Sequence, residues 1–213
     1  MAMQTRPSRL SAIVLVLAIV PTVPILWRVA LPMLDGTAWP KHAAHLQILL
    51  IHTIGGLSML VLGAMNLYIG TTRRMFQLHR WVGYGYFLVG SVGAVAALAI
   101  SFHAPHAPHS LYIATGTLAV VWLAVAAMAW RAARNRRFAS HREWMIRSYV
   151  LSWTFVGCRI ATMVDIFPWL GAESTTAAIW MNWIIPLVVC EIMLRWQEGA
   201  VVPTRPSASP HHS

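Results

Sequence analysis

Residues 51–90 read IHTIGGLSMLVLGAMNLYIGTTRRMFQLHRWVGYGYFLVG. An apolar run carries His52 near its start and Gly55, Gly56, Gly63 and Asn66 along its length. It stops at the turn Thr71-Thr72-Arg73-Arg74, and a second apolar run opens at His79-Arg80-Trp81. The arrangement recurs downstream. His109 precedes the run from Leu111 to Trp130, a turn carries Arg131, Arg134, Arg136 and Arg137, and His141-Arg142-Glu143-Trp144 opens the next run. Inside lipid a backbone must satisfy its own polar groups, so long apolar runs between turns are helices. The stretch therefore predicts two helical hairpins with a histidine at the head of every helix.

The whole chain shares this character. Of its 213 residues 58% are hydrophobic and only 10% are charged, whereas soluble domains carry about 25% charge. Such a chain cannot cover a water-facing surface, which makes it an integral membrane protein. Sixteen Lys and Arg stand against six Asp and Glu. In a soluble domain that excess would suggest nucleic acid; here the basic residues lie between apolar runs, where they set orientation in the membrane. No nucleic-acid partner is expected, and the lipid bilayer is the first partner.

Six runs reach the roughly 20 residues that cross a hydrocarbon core of about 30 Å. They cover about 10–31, 46–70, 80–102, 110–130, 143–164 and 178–196. The expected fold is all-α and polytopic: six transmembrane helices, with spans two to five forming a central four-helix bundle. Residues 1–9 form a short polar head, and the Pro- and Ser-rich tail 197–213 is expected to be disordered. A basic head before an apolar run is also similar to a signal peptide. The absence of a well-placed small-x-small site favours an uncleaved first span, kinked at Pro21 and Pro24.

Charge tests the arrangement. With a cytoplasmic N-terminus, Arg6, Arg9, Arg73, Arg74, Arg80, Arg131, Arg134, Arg136, Arg137, Arg142, Arg147, Arg195 and Arg205 lie inward, against Arg28, Lys41 and Arg159 outward. That is a strong positive-inside asymmetry, and it places both termini in the cytoplasm and the protein in the inner (cytoplasmic) membrane. Trp81, Trp130, Trp144 and Trp196 then fall at the inner interface, and Trp39, Trp169 and Trp180 near the outer one. Cys158 and Cys190 sit in opposite leaflets on this reading, so no disulfide is expected.

The topology places His52 and His109 in the outer leaflet on spans two and four, and His79 and His141 at the inner face on spans three and five. Alternate helices of a four-helix bundle can be diagonal neighbours, and bundle cores hold cofactors between facing side chains. Two histidines across a bundle are the natural axial pair for a b-type haem, so one or two haems are the expected cofactor. Gly83, Gly90 and Ala97 after His79, and Gly56 and Gly63 after His52, continue on helical spacing and would leave room for a flat macrocycle. The competing reading is structural: small residues on membrane helices mostly allow close packing, and a histidine at a helix end is tolerated at the interface.

Charged residues within spans are costly and are usually paired or functional. Arg147 and Glu191 share a depth near the inner face, which predicts an ion pair between spans five and six. Arg159 lies at about the depth of His52 and Asn182. Arg147 and Arg159 are also candidates to anchor haem propionates or an acidic lipid headgroup. The tract His103-Ala-Pro-His106-Ala-Pro-His109 spaces its histidines roughly 9 Å apart in polyproline II geometry. That is too wide for three to meet one ion without bending; a stiff polar loop is favoured over weak copper or zinc capture. No metal site and no catalytic residue is assigned.

Two resemblances accompany these residues. HRWVGYGY with HREWMIRSYVLSWTFVGCRI resembles a family of bacterial predicted membrane proteins known as a domain of unknown function. Residues 46–165 carry its pattern, with His52, His79, Gly83, Tyr86, His141, Met145, Arg147, Ser148, Tyr149 and Arg159 on its positions; His109 lies outside it. More distantly, the order of histidines is similar to that of cytochrome b561-type membrane haem proteins. That resemblance implies pairing of His52 with His109 and of His79 with His141.

The expected function is a b-type haem protein that passes electrons between a quinol or a redox partner protein and an acceptor across the membrane, as a carrier or a subunit of a membrane oxidoreductase. The competing class is a non-haem membrane protein, either a small transporter or an accessory factor for another membrane protein. Neither central acidic residues nor unwound helices favour transport, although Pro186 interrupts span six.

Overall fold

A computed structural model describes residues 46–72, 75–103 and 108–199, together with the isolated positions 20, 23 and 27. The expected first span at 10–31, the centre of the histidine tract and the tail lie outside the described residues. The described chain is entirely helical: α1 (Leu46–Thr72), α2 (Phe76–His103), α3 (His109–Arg134), α4 (Phe138–Ser152), α5 (Thr154–Val164), a 3-10 turn (Pro168–Glu173) and α6 (Ser174–Gly199).

Four helices among the described residues are long and apolar enough to cross a membrane: Leu46–Thr72, Phe76–Phe102, His109–Arg134 and Pro168–Trp196. The expectation of six transmembrane helices is corrected here. The run read as one crossing at 143–164 is divided at Trp153 into α4 and α5, and neither piece reaches membrane length. The reason is local chemistry. Arg142, Glu143 and Arg147 lower the apolarity of α4. Next to the break, the Ser152 hydroxyl donates to the Ser148 carbonyl at 2.9 Å, a back-bond that competes with the helix ladder and bends it. Trp153 keeps right-handed dihedrals (φ −66°, ψ −17°), so α4 and α5 form one kinked rod. Among the described residues there are thus five rods, four of them unbroken helices long and apolar enough to cross a membrane.

Helix α1 packs on α2 and α4, α2 on α3, and α3 on α4, closing a four-helix bundle in which α1 and α3 are diagonal, as are α2 and α4. Helix α6 lies outside this ring against α3, α4 and α5. Between membrane helices there is no gain from hiding apolar surface, so association comes from close packing over small residues. Gly55 shows how close: a Cβ there would stand 3.1 Å from the Gly93 backbone on α2. Helix α5 meets α6 in the same way, since the Asn182 side chain occupies the space that a side chain at Gly157 would need. Outward-facing Leu88, Val120 and Ile192 are exposed, as a lipid-facing surface requires.

The turn between α3 and α4 is tight although it contains no glycine. Arg136 takes the left-handed conformation (φ 56°), Arg136 N–H bonds the Ala133 carbonyl at 3.0 Å and Arg137 N–H the Ala132 carbonyl at 2.9 Å. This double bond pattern satisfies carbonyls that the helix end leaves open. It holds the basic turn against the end of the bundle where α2 and α4 begin.

Candidate functional site

That end holds two histidines. His79 lies in the first turn of α2 and His141 in the first turn of α4, so the diagonal of the bundle brings them together: their ring centres are 6.4 Å apart and their planes are at 87°. His141 Nδ1 donates to the Ala129 carbonyl of α3 at 2.9 Å. With that proton assigned, Nε2 of neutral His141 is the nitrogen with a lone pair. His79 stacks on Phe76 at 5.2 Å and sits over Gly70, where a Cβ would approach its ring to 3.2 Å. Two buried polar atoms here, His79 Nδ1 and Asn66 Oδ1, have no hydrogen-bond partner among the described residues. Such orphans are uncommon in native interiors and call for an explanation.

Arg147 stands on α4 beyond His141. Its Nη2 lies 2.8 Å from Glu191 Oε2 and its Nη1 3.4 Å from Glu143 Oε2. The guanidinium also lies 4.9 Å over the Trp144 ring, and Arg195 contacts the other oxygen of Glu191 at 3.1 Å. The ion pair expected between the fifth run and the sixth therefore forms, inside a larger network. Arg147 is turned to carboxylates of its own chain.

Midway along the bundle is a polar hub that sequence reasoning did not assemble. The Tyr86 hydroxyl, fully buried, lies 2.7 Å from Ser148 Oγ and 3.1 Å from Ser152 Oγ. Trp122 Nε1 donates to Ser152 Oγ at 3.1 Å. Helices α2, α3 and α4 are joined through one cluster. The available signal was the i,i+4 spacing of Ser148 and Ser152 on an otherwise apolar face, since hydroxyls in lipid seek partners.

At the other end of the bundle is a cavity of about 330 Å³, partly open and bordered by α1, α2, α3, α4, α5 and α6. His52 and Arg159 line it, with Phe155 between them: the His52 and Phe155 rings are 5.7 Å apart, and the Arg159 guanidinium is 5.8 Å from the Phe155 ring centre. His52 Nδ1 lies 3.1 Å from the Gly93 carbonyl, so in the neutral ring that nitrogen carries the proton and Nε2 the lone pair. Cys158 also borders the cavity, and neither it nor Cys190 is in a disulfide.

His109 is placed elsewhere. It is the first residue of α3, exposed, with its ring 6.1 Å from that of Tyr112; it does not border the cavity. The glycines expected to make room for a macrocycle largely seat aromatic rings. A Cβ at Gly63 would meet Tyr149 and Tyr86, one at Gly56 would meet Phe155, and one at Gly90 would overlap Trp122. Gly56, Gly90 and Gly93 still form part of the cavity wall. No group of three or more His, Cys, Asp or Glu side chains converges on a metal-sized site among the described residues.

Membrane-length helices, a lipid-facing exterior and polar groups gathered inside a helical bundle define a multi-pass membrane protein. The chain belongs to the family described as predicted membrane protein (DUF2306), whose model matches residues 49–194. That match includes His52, His79, His109, His141, Arg147 and Arg159. No curated protein and no solved structure matches the chain.

Proposed function

We propose that the protein is a membrane electron carrier that holds one b-type haem between His79 and His141. The observation that carries this reading is the geometry of that pair. Two imidazoles sharing one metal at bonds of about 2 Å each stand with ring centres about 6 Å apart, and these stand at 6.4 Å on diagonal helices. The chemistry of the donors fits as well. A metal-binding histidine characteristically gives its other N–H to a backbone carbonyl, as His141 does to Ala129. His79 Nδ1 and Asn66 Oδ1, both buried and without a close hydrogen-bond partner among the described residues, keep polar capacity beside the pair.

Bound there, haem supplies reversible one-electron transfer at a potential tuned by burial and by nearby charge. The chain's own residues do the rest. Ala129 fixes the tautomer of His141, Phe76 and the glycine gap at Gly70 hold the plane of His79, and the Tyr86 hub ties together the three helices that carry or orient the pair. The basic turn Arg131–Arg137 supports a cytoplasmic position for this end by the positive-inside rule, and on this reading the donor or acceptor for the haem lies in the cytoplasm or the inner leaflet.

A second reading, a non-haem membrane protein that binds a small molecule, draws on the cavity around His52, which offers one histidine and not a pair. The absorption spectrum separates the two. Protein purified from haem-replete cells is expected to show a Soret band and sharp reduced α and β bands of a low-spin, six-coordinate iron. His79→Ala and His141→Ala are each expected to abolish them, while His109→Ala leaves them unchanged. A colourless protein that gains no haem on reconstitution overturns the haem reading in favour of the second.

A further inference from the structure

Among the described residues four buried side-chain polar atoms lack a close hydrogen-bond partner: Thr53 Oγ1, Asn66 Oδ1, His79 Nδ1 and Trp183 Nε1. Those of Asn66 and His79 belong to residues that face each other across α1 and α2. Asn66 and Gly70 stand one turn apart on one face of α1, and His79 and Gly83 one turn apart on one face of α2. A Cβ at Gly70 would come within 3.2 Å of the His79 ring, and one at Gly83 within 3.3 Å of the Asn66 carboxamide nitrogen. The two glycines therefore let each polar side chain reach the opposite helix, with Asn66 one turn deeper than His79. Asn66 is only 3% exposed.

The two unmet atoms are complementary. An imidazole nitrogen that carries hydrogen is a donor, and a carboxamide oxygen is an acceptor. Leaving either buried and unpaired costs about 1–3 kcal/mol. The bond that meets both at once runs from His79 Nδ1–H to Asn66 Oδ1, and it asks only for rotation about the soft terminal torsion of asparagine. The Asn66 main-chain carbonyl also neighbours the imidazole, but it is engaged by the Gly70 N–H in the α1 ladder and makes no close bond to His79.

His141 supplies the precedent. Its Nδ1 donates to the Ala129 carbonyl, twelve residues earlier on the first helix of its hairpin. Asn66 stands thirteen residues before His79, on the first helix of the other hairpin. With both Nδ1–H groups spent on acceptors of the chain, both rings keep Nε2 as the lone-pair nitrogen.

We infer that Asn66 is the positioning residue of His79, its Oδ1 accepting the Nδ1 proton and so fixing the tautomer whose Nε2 can bind a metal. Its service to haem rests on the function proposed above, whereas the bond itself joins two residues of this chain and is read without haem. A ligand histidine that gives its other N–H to an acceptor becomes a stronger donor to the metal, and the ligand set tunes the potential of a bound haem.

The test uses the full-length protein in detergent, labelled at the histidine ring nitrogens and kept reduced, so that any low-spin iron is diamagnetic. His79→Gln and His141→Gln assign the two sets of ring signals by magnetic resonance. Wild-type His79 is expected to carry its proton on Nδ1 and to protect it from solvent exchange. Asn66→Leu retains the main-chain carbonyl and removes Oδ1; exchange of the His79 Nδ1 proton is expected to quicken about tenfold or more, the loss of one hydrogen bond. His141, held by Ala129, is expected to stay unchanged and reports an intact bundle. Asn66→Ala removes the same oxygen without branching at the new side chain and repeats the measurement if Asn66→Leu fails to fold. Where haem is bound, both variants are also expected to raise its potential, because His79 becomes the weaker donor to ferric iron. Three results overturn the assignment. They are a wild-type His79 protonated on Nε2, wild-type exchange at His79 in Asn66→Leu (which makes the main-chain carbonyl the acceptor), and equal quickening at His79 and His141 in both variants (which makes Asn66 a packing residue only). A colourless protein in which His79 alone responds keeps the Asn66–His79 bond and removes the haem reading; a haem protein in which His79 does not respond does the reverse.

Discussion

Arg147 holds the Glu191 carboxylate with two nitrogens on one oxygen, Nη2 at 2.8 Å and Nε at 2.9 Å from Oε2. The contact ties α4, inside the four-helix ring, to α6, which lies outside it. Arg147 is buried, with 8% of its surface exposed, and a second carboxylate, Glu143, stands on its far side. Arg195 holds the other oxygen of Glu191. The arginine is thus the centre of the network, and either carboxylate can lose it at different cost.

From that asymmetry, Arg147→Met is expected to lower the thermal unfolding temperature in detergent more than Glu191→Gln. The first change leaves a buried gap at the centre of the network, takes Glu143 off its only partner there and leaves Glu191 with Arg195 alone, while the second leaves Arg147 with Glu143. Combining the two changes is expected to cost less than their sum, with a coupling of about 0.5–3 kcal/mol, the usual range for groups in direct contact. Additive losses would show that the two residues do not depend on each other.

The Tyr86 hub makes a separate prediction. Tyr86→Phe keeps the ring in its site and removes the hydroxyl shared by Ser148 and Ser152. A loss of about 1 kcal/mol is expected, in line with interhelical hydrogen bonds in membranes. Ser148→Ala added to Tyr86→Phe is expected to cost little more, because the serine has already lost its nearest partner. Unfolding in detergent measures both, and an unchanged Tyr86→Phe protein would remove the hub from any structural role.

Glycines in the bundle differ in what stands opposite them. A methyl group at Gly90 would overlap the Trp122 ring, whereas one at Gly116 would meet Leu98 at an ordinary 3.6 Å. Gly90→Ala is therefore expected to destabilise by about 1–3 kcal/mol through overpacking. Gly116→Ala is expected to be neutral or stabilising by up to about 1 kcal/mol, since alanine is the better helix former. If both variants unfold at the wild-type temperature, α2 and α3 are not packed as described.

Orientation follows from the basic turn between α3 and α4. Reporter fusions after Arg137 are expected to show a cytoplasmic location, and fusions after Pro108, before the membrane-length α3, the outer side. An outward Arg131–Arg137 turn would reverse the molecule and move the His79–His141 end to the outer face. Labelling of a cysteine placed at Arg136 by an impermeant reagent gives the same answer independently.

Much of this protein is legible in the chain. Membrane residence and helical character follow from composition and from runs of apolar residues, because lipid leaves a backbone no other way to satisfy its polar groups. The Arg147–Glu191 pair was legible for a related reason: two opposite charges at one depth have few alternatives to each other. The histidines on α2 and α4 announced themselves by their positions at helix heads. Asp165, in contrast, ends α5 in a left-handed conformation (φ 47°) at a position that carries no glycine to signal it.

Only the folded bundle decided the rest. Whether 143–164 ran as one helix depended on Ser148, Ser152 and Trp153 acting across a single turn. Pairing depended on which helices face one another: the diagonal placed His79 beside His141, while His109 came out exposed at the start of α3. The glycines behaved likewise, since an absent side chain says that something comes close and not what it is; at Gly56 and Gly90 it was Phe155 and Trp122. Periodicity and hydropathy act along one helix and are written in one dimension. The cavity, the hub and the two-histidine end are made by side chains from several helices, whose mutual rotation and depth are set by packing in three.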